Sequence, residues 1–192
     1  MNSTRVFPLF LRLEGRLAIV VGGGAVGAQK VRSLLDAGAR VRVLDPSPGS
    51  EVEALAHDGA IELRREPFSD AALDEAWLVI AATDDPAVNA AVARAAEGRR
   101  MFCTSVDDPP NCSAFFGAIV RRPPLTVAIS SSGDAPALSR LMREMIEHLL
   151  PEGEWVERAR VLREKWRSEG TPMGARFGEL VAAFASSRVS AG

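Results

Sequence analysis

The sequence predicts an α/β protein, and three observations carry that prediction. The β-branched run Ile19-Val20-Val21 enters the glycine cluster Gly22-Gly23-Gly24, and a helix-forming segment follows it. Strand-like apolar runs return at 39–44, 61–64, 77–82 and 101–106 with helical stretches between them, which is the alternation a parallel sheet needs. The run Trp77-Leu78-Val79-Ile80-Ala81-Ala82 is apolar throughout, as a strand covered on both faces should be.

Taken in order, Val6-Phe7-Pro8-Leu9-Phe10-Leu11 reads as a short lead-in that packs against the sheet. The first strand ends in Gly22-x-Gly24-x-x-Gly27, with a helix over 25–36 and Gly38 as its cap. The first glycine allows a tight turn, the second a close approach of backbone N–H groups to a pyrophosphate, and the third close packing of helix on strand. The second strand, 39–44, ends at Asp45, 21 positions after Gly24. A carboxylate there accepts the hydroxyls of an adenosine ribose and repels a 2′-phosphate, so NAD is expected rather than NADP. The pattern is that of a Rossmann-like sheet, although a glycine turn that binds nothing has the same local sequence. The expected cofactor contacts are Gly22, Gly23, Gly24, Ala25, Val26, Asp45, Pro46 and Ser47.

Residues 46–49 form a loop, 51–58 a helix ending at Gly59, 61–64 a strand with one wet face, and 68–76 a short helical crossover. The strand at 77–82 leads into Thr83-Asp84-Asp85-Pro86 and a helix over 87–97. Thr83 and Asp84 stand where an open α/β sheet binds ligands and join the cofactor set; Asp84 or Asp85 also suits a helix cap. Met101-Phe102-Cys103-Thr104-Ser105-Val106 is a further strand, ending at Asp107-Asp108-Pro109-Pro110.

There the alternation stops. Segments 114–120 and 125–130, joined by Arg121-Arg122-Pro123-Pro124, read as a hairpin. The loop Ser131-Ser132-Gly133-Asp134 precedes a helix over 136–150, whose Leu138, Leu141, Met142, Met145, Ile146 and Leu149 make one apolar stripe. A hairpin and one amphipathic helix bury too little by themselves, so a homodimer is expected through this region. One or two polar-faced helices, over 154–168 and 174–185, are expected in 152–188. The division is a nucleotide-binding domain over 1–112, a small α+β dimerisation region over 113–150 and a helical tail over 151–192.

Hydrophobic residues at 47%, charged residues at 25% and a net charge of −2 describe a soluble globular protein and argue against a general nucleic-acid binder. No apolar run approaches the ~20 residues that span a bilayer. Arg5 and Arg12 bracket an N-terminal run too short for a cleavable signal, and a cytoplasmic protein without membrane attachment is expected. Cys103 and Cys112, with His57 and His148, suit neither a disulfide framework nor a protein-built metal site.

Phe7-Pro8-Leu9-Phe10, Val20-Val21-Gly22-Gly23-Gly24, Ala81-Ala82-Thr83-Asp84-Asp85, Val106-Asp107-Asp108-Pro109 and 125–132 running into 136–144 occur in one order. Together they resemble the precorrin-2 dehydrogenase (sirohydrochlorin ferrochelatase) family, which stands alone or forms the N-terminal part of siroheme synthase. The resemblance spans roughly residues 6–150. It implies NAD-dependent oxidation of precorrin-2 to sirohydrochlorin, insertion of Fe²⁺ as a second activity in the same cleft, and an intertwined homodimer.

Asp107 is the position the family pattern marks for the proton acceptor; Asp108 is the less favoured neighbour, and a plain turn aspartate before Pro109 is the alternative. Ser131 is carried over as a substrate contact. The substrate's acetate and propionate groups call for Arg forks, with Arg121 and Arg140 as candidates, although Arg121 and Arg122 also read as a solvated hairpin tip. Thr104, Ser105, Ser132 and Asp134 depart from the family pattern. A reading of another class is a non-catalytic, dimeric NAD-sensing module, which would not need Asp107.

Overall fold

The first of the two units into which the chain divides, residues 1–116 and 117–192, is built on a five-stranded parallel sheet. The computed structural model describes residues 5–150 and 154–185. In chain order the first unit holds β1 Leu17–Val21, α1 Ala25–Leu35, β2 Arg40–Leu44, α2 Ser50–His57, β3 Glu62–Arg64, β4 Leu78–Ala81, α3 Pro86–Gly98 and β5 Phe102–Ser105. The strands lie in the Rossmann-like order β3-β2-β1-β4-β5, which reverses direction between β1 and β4.

β1 is buried on both faces, and its alternation divides the core. Ala18 and Val20 pack with Ala28, Val31 and Leu34 of α1 and with Val52 of α2. Leu17, Ile19 and Val21 point the other way, against Leu73 and against Val92, Ala95 and Ala96 of α3. α1 ends in a Schellman motif in which Gly38, at φ +74°, lets its own N–H reach Leu35 O at 2.8 Å and the Ala39 N–H reach Leu34 O at 3.0 Å.

Two expectations for this unit are corrected. The lead-in at 6–11 does not pack on the sheet: its residues lie exposed, Phe7 at 87%, because helices and the 69–76 segment already occupy both faces. That segment in turn is a single 3₁₀ turn, Asp70–Leu73, rather than a longer helix. Acidic residues at 70, 74 and 75 leave Ala72 and Leu73 as its buried anchors.

The second unit contains an antiparallel hairpin, β6 Ala118–Arg122 and β7 Leu125–Ile129, and the helices α4 Pro136–Leu149, α5 Glu154–Glu169 and α6 Met173–Ala185. The hairpin turns at Pro123-Pro124, joined by a cis bond. Arg121 and Arg122 are therefore strand residues paired with Thr126 and Leu125, not the tip: prolines lack a ladder donor and take the turn. Trp166 of α5 is buried and donates to Glu179 of α6 at 2.8 Å. Among the described residues no helix is long and apolar enough to cross a membrane.

Both cysteines are free. Cys103 is 2% exposed in the core, and burial, helped by the nearby Cys112 and Asp108, pushes its thiol from 9.0 to about 11. The folded state therefore holds a proton that the unfolded chain releases between those values. Its stabilising effect is complete below pH 9 and is lost as pH rises toward 11. Urea titrations across this range should show the native protein losing stability more steeply than Cys103→Ala, with equal slopes below pH 9. Native Cys103 should also resist iodoacetamide at pH 8.

Candidate functional site

The strand register brings four chain segments to one edge. Val21 pairs with Leu44 and with Ala81, and Ala81 pairs with Ser105. Gly22, Asp45, Ala82-Thr83 and Val106-Asp107 therefore follow one another along the carboxyl ends of the strands, at the switch point where such sheets take ligands.

At the centre of this edge the turn after β1 is made by close backbone contact. Gly22 has φ +106°, and a Cβ on it would lie 2.4 Å from Ala82 O. A Cβ on Gly27 would lie 2.0 Å from Gly22 O. Gly24 differs, because a Cβ there would meet no protein atom within 4 Å; nothing in the packing of the fold demands glycine at that position. α1 starts at Gly24 with no side-chain cap and no acid in its first turn, and its first backbone bond runs from Ala28 N–H to Gly24 O at 2.9 Å. The N–H groups of Ala25, Val26 and Gly27 keep their donors, and the helix dipole adds positive potential. This cradle fits a pyrophosphate.

Asp45 closes one side of it. Its Oδ2 accepts from the Gly23 N–H and its Oδ1 from the Ser47 N–H at 2.7 Å, so both oxygens are oriented while lone pairs remain for ribose hydroxyls. The Gly49 N–H donates to Gly23 O at 2.9 Å and ties the 45–49 loop, with exposed Pro46 and Ser47, to the glycine turn.

After β4, Thr83 is half-buried and Asp84 exposed. Asp85, not Asp84, caps α3: its Oδ1 accepts from the Ala87 N–H at 2.8 Å, with Pro86 in the first helical position. Asn89, one turn into α3, is buried and bonded three times to Thr83. The sequence reading missed it. Its signal was a polar residue on the stripe Asn89, Val92, Ala93, Ala96, spaced i, i+3, i+4, i+7 and buried throughout.

After β5, the two adjacent aspartates are unlike. Asp108 Oδ2 accepts from Asn111 Nδ2 at 2.7 Å and from Ser105 Oγ at 3.4 Å. Asp107 is exposed, adopts φ +56°, a conformation aspartate tolerates, and holds no hydrogen bond among the described residues. Its charge acts on Lys30 of α1, whose ammonium sits 4.5 Å from the Phe116 ring centroid. Burial pulls the Lys30 pKa below its ordinary value, against the opposing pull of Asp107. Lys30 too escaped the sequence reading, although it and Lys165 are the lysines in a chain otherwise furnished with arginine. Thr104 and Ser105 are buried; the Thr104 hydroxyl donates to Ala114 O at 2.9 Å, and the Ser105 N–H donates to Cys112 Sγ at 3.1 Å. They fold the 112–114 segment back along β5.

In the second unit, Ser131 Oγ accepts from the Ala135 N–H at 3.2 Å at the start of α4. Ser132, where the family pattern has glycine, stands at φ +55°. Arg121 is exposed on β6, and Arg140 is exposed on α4 in an ion pair with Glu144 at 3.1 Å. A groove of about 720 Å³ along α5 and α6 is lined by Trp155, Val181, Phe184 and other largely apolar side chains.

A family model described as "Putative NAD(P)-binding" matches residues 9–118, and one described as "Sirohaem biosynthesis protein central" matches residues 122–149. Siroheme synthase 1 of Serratia proteamaculans is 43% identical over 188 residues, covering 91% of this chain and 40% of that protein. Siroheme synthase 1 of Yersinia enterocolitica is 51% identical over 144 residues, covering 75% and 30%. The chain thus spans two fifths or less of the length of these relatives. A solved structure titled "SirC, precorrin-2 dehydrogenase" superposes with a TM-score of 0.72 over 92% of this chain and 88% of that one, at 20% identity, and shows the same fold.

The glycines separate folding from binding. Gly22→Ala forces a Cβ into backbone at a left-handed φ and should lower stability by at least about 2 kcal/mol in urea. Gly24→Ala should melt within a few degrees of the native protein yet bind NAD at least about tenfold more weakly by calorimetry.

Proposed function

This chain belongs to the NAD(P)-binding family matched over residues 9–118, and on that premise we propose that it oxidises precorrin-2 to sirohydrochlorin in siroheme biosynthesis with NAD as cofactor. The relatives named siroheme synthase and the match to the sirohaem central model support this substrate class. Bound NAD supplies the acceptor for a hydride, the chemistry no side chain can perform. Gly22, Gly23, Gly24, Ala25 and Val26 would hold its pyrophosphate, Asp45 with Pro46 and Ser47 its adenosine ribose, and Thr83 with Asp84 the part beyond β4. The Asp45 carboxylate disfavours a 2′-phosphate, hence NAD over NADP.

The oxidation takes a hydride from one ring carbon and a proton from its neighbour, leaving a double bond. Asp107 takes the proton. The observation that carries this choice is the contrast with Asp108, whose carboxylate is engaged while that of Asp107 is exposed without a hydrogen-bond partner among the described residues. The Asp107 carboxylate lies within electrostatic reach of the Lys30 ammonium. The same carboxylate suits removal of pyrrole N–H protons as Fe²⁺ enters the macrocycle, whose own nitrogens ligate the metal. Ser131, Arg121 and Arg140 are the proposed contacts to substrate carboxylates.

We further propose a homodimer through 113–150, between the nucleotide-binding domain at 1–112 and the tail at 151–192. Leu138, Leu141, Met145 and Leu149 of α4 are all more than half exposed in the single chain.

With precorrin-2 and NAD under anaerobic conditions, Asp107→Asn should slow sirohydrochlorin formation by at least about a hundredfold while calorimetry shows NAD binding retained. Asp108→Asn should cost much less; equal turnover in native protein and Asp107→Asn would remove the base from its role. Bound NAD with no turnover in the native protein would favour the sensing module. Sedimentation should give twice the chain mass for the native protein and the single mass for Leu141→Asp/Met145→Asp.

A further inference from the structure

We propose that Asn89 is a positioning residue for nucleotide binding, acting through the main chain of Thr83. The proposal rests on the NAD-binding reading of the β1–α1 turn and adds a residue that contacts no ligand itself.

The side chain of Asn89 is 6% exposed on the inner face of α3. Its Oδ1 accepts from the Thr83 N–H at 3.2 Å and from the Thr83 hydroxyl at 2.8 Å, and its Nδ2 donates to Thr83 O at 2.9 Å. One carboxamide thus satisfies both main-chain polar groups of a single loop residue and takes its hydroxyl proton as well. Thr83 Oγ1 also lies 3.1 Å from Asp85 O, but it has one hydrogen, and the shorter contact is to Asn89. The same oxygen accepts from the Asp85 N–H at 3.2 Å. The hydroxyl is consumed within the loop, so what Thr83 presents to the edge of the sheet is its position.

That position bears on the glycine turn. A Cβ on Gly22 would meet Ala82 O, Ala82 C and Thr83 N at 2.4, 2.6 and 2.9 Å. The main chain at 82–83 is therefore the wall against which Gly22 is seated, and Asn89 holds that wall from behind. Without the Asn89 carboxamide the Thr83 N–H and C=O lose these partners, a cost that the loop escapes by moving away from Gly22 toward water.

The bonding pattern predicts which replacement recovers function. A carboxylate at 89 keeps the acceptor for Thr83 N–H but has no donor for Thr83 O; a neutral carboxylic acid has one of each. Calorimetric titration of NAD into the full chain should give Asn89→Ala a dissociation constant about tenfold above native at every pH from 5.5 to 8. Asn89→Asp should be as weak at pH 8 and recover toward the native value at pH 5.5. Asp84 and Asp85 flank the loop and titrate in the native chain as well, so each variant is compared with native protein at the same pH. In turnover, the KM for NAD should rise while kcat at saturating NAD stays within twofold. A folded Asn89→Ala that binds NAD within twofold of native overturns the proposal, as does an Asn89→Asp whose affinity ignores pH. If Asn89→Ala does not fold, the Asn89→Asp profile decides alone. A native protein that takes up no NAD overturns the NAD-binding reading and the proposal with it, whereas a native protein that binds NAD, with no defect in either variant, sinks the proposal only.

Discussion

The Gly27 and Gly22 contacts are both to main-chain carbonyls, at 2.0 and 2.4 Å for a hypothetical Cβ, and main chain cannot rotate out of the way. At this turn the ends of β1 and β4 and the start of α1 therefore meet backbone to backbone, at distances only glycine permits. This contact sets where the first turn of α1 begins and so where its free N–H groups point. From there the other parts of the edge are chained to the same turn by hydrogen bonds: Asp45 through Gly23 N–H, the 45–49 loop through Gly23 O, and Thr83 by its seat against Gly22. A nucleotide site of this kind is a property of one crossing of the chain, not of separately placed side chains.

The parts of the fold that sequence revealed are those whose cause is local. The strand runs of the parallel sheet, the glycine turn, the Gly38 cap and the α4 stripe depend on near neighbours, and each is found within a residue or two of its expected place, whereas the first hairpin strand, expected at 114–120, lies at Ala118–Arg122. What sequence could not reveal depends on which surfaces are already covered. The apolar run at 6–11 looks like a core segment until both sheet faces are filled by others. At the candidate site the glycines and Asp45 were legible because their spacing is their chemistry. The difference between Asp107 and Asp108 was not, since it lies in a partner, Asn111, that only the 3₁₀ turn at 109–111 brings round. Asn89 was hidden for a related reason: a helix face reads as a stripe of burial, and the stripe does not say that one of its members is bonded across to a loop.

Lys30 shows the same limit in electrostatic form. The chain carries arginine almost everywhere, and a guanidinium keeps its charge in any protein environment, whereas an ammonium can give it up when desolvated. The half-buried position beside Phe116 holds one of the two lysines. Desolvation and the field of Asp107 act on it in opposite directions, with desolvation the larger.

The two units differ in how their surfaces are used. Nearly all of the described buried apolar residues, β1 and β4 foremost, belong to the first unit; Val120 and Trp166 are the exceptions. The first unit has what an independently stable α/β layer needs. In the second, the α4 stripe lies in water with Leu149 at 74% exposure, and fully covering a Leu or Met side chain contributes about 1.5–3 kcal/mol. Four such residues represent several kcal/mol available to whatever surface covers them, comparable to the whole stability of a small domain.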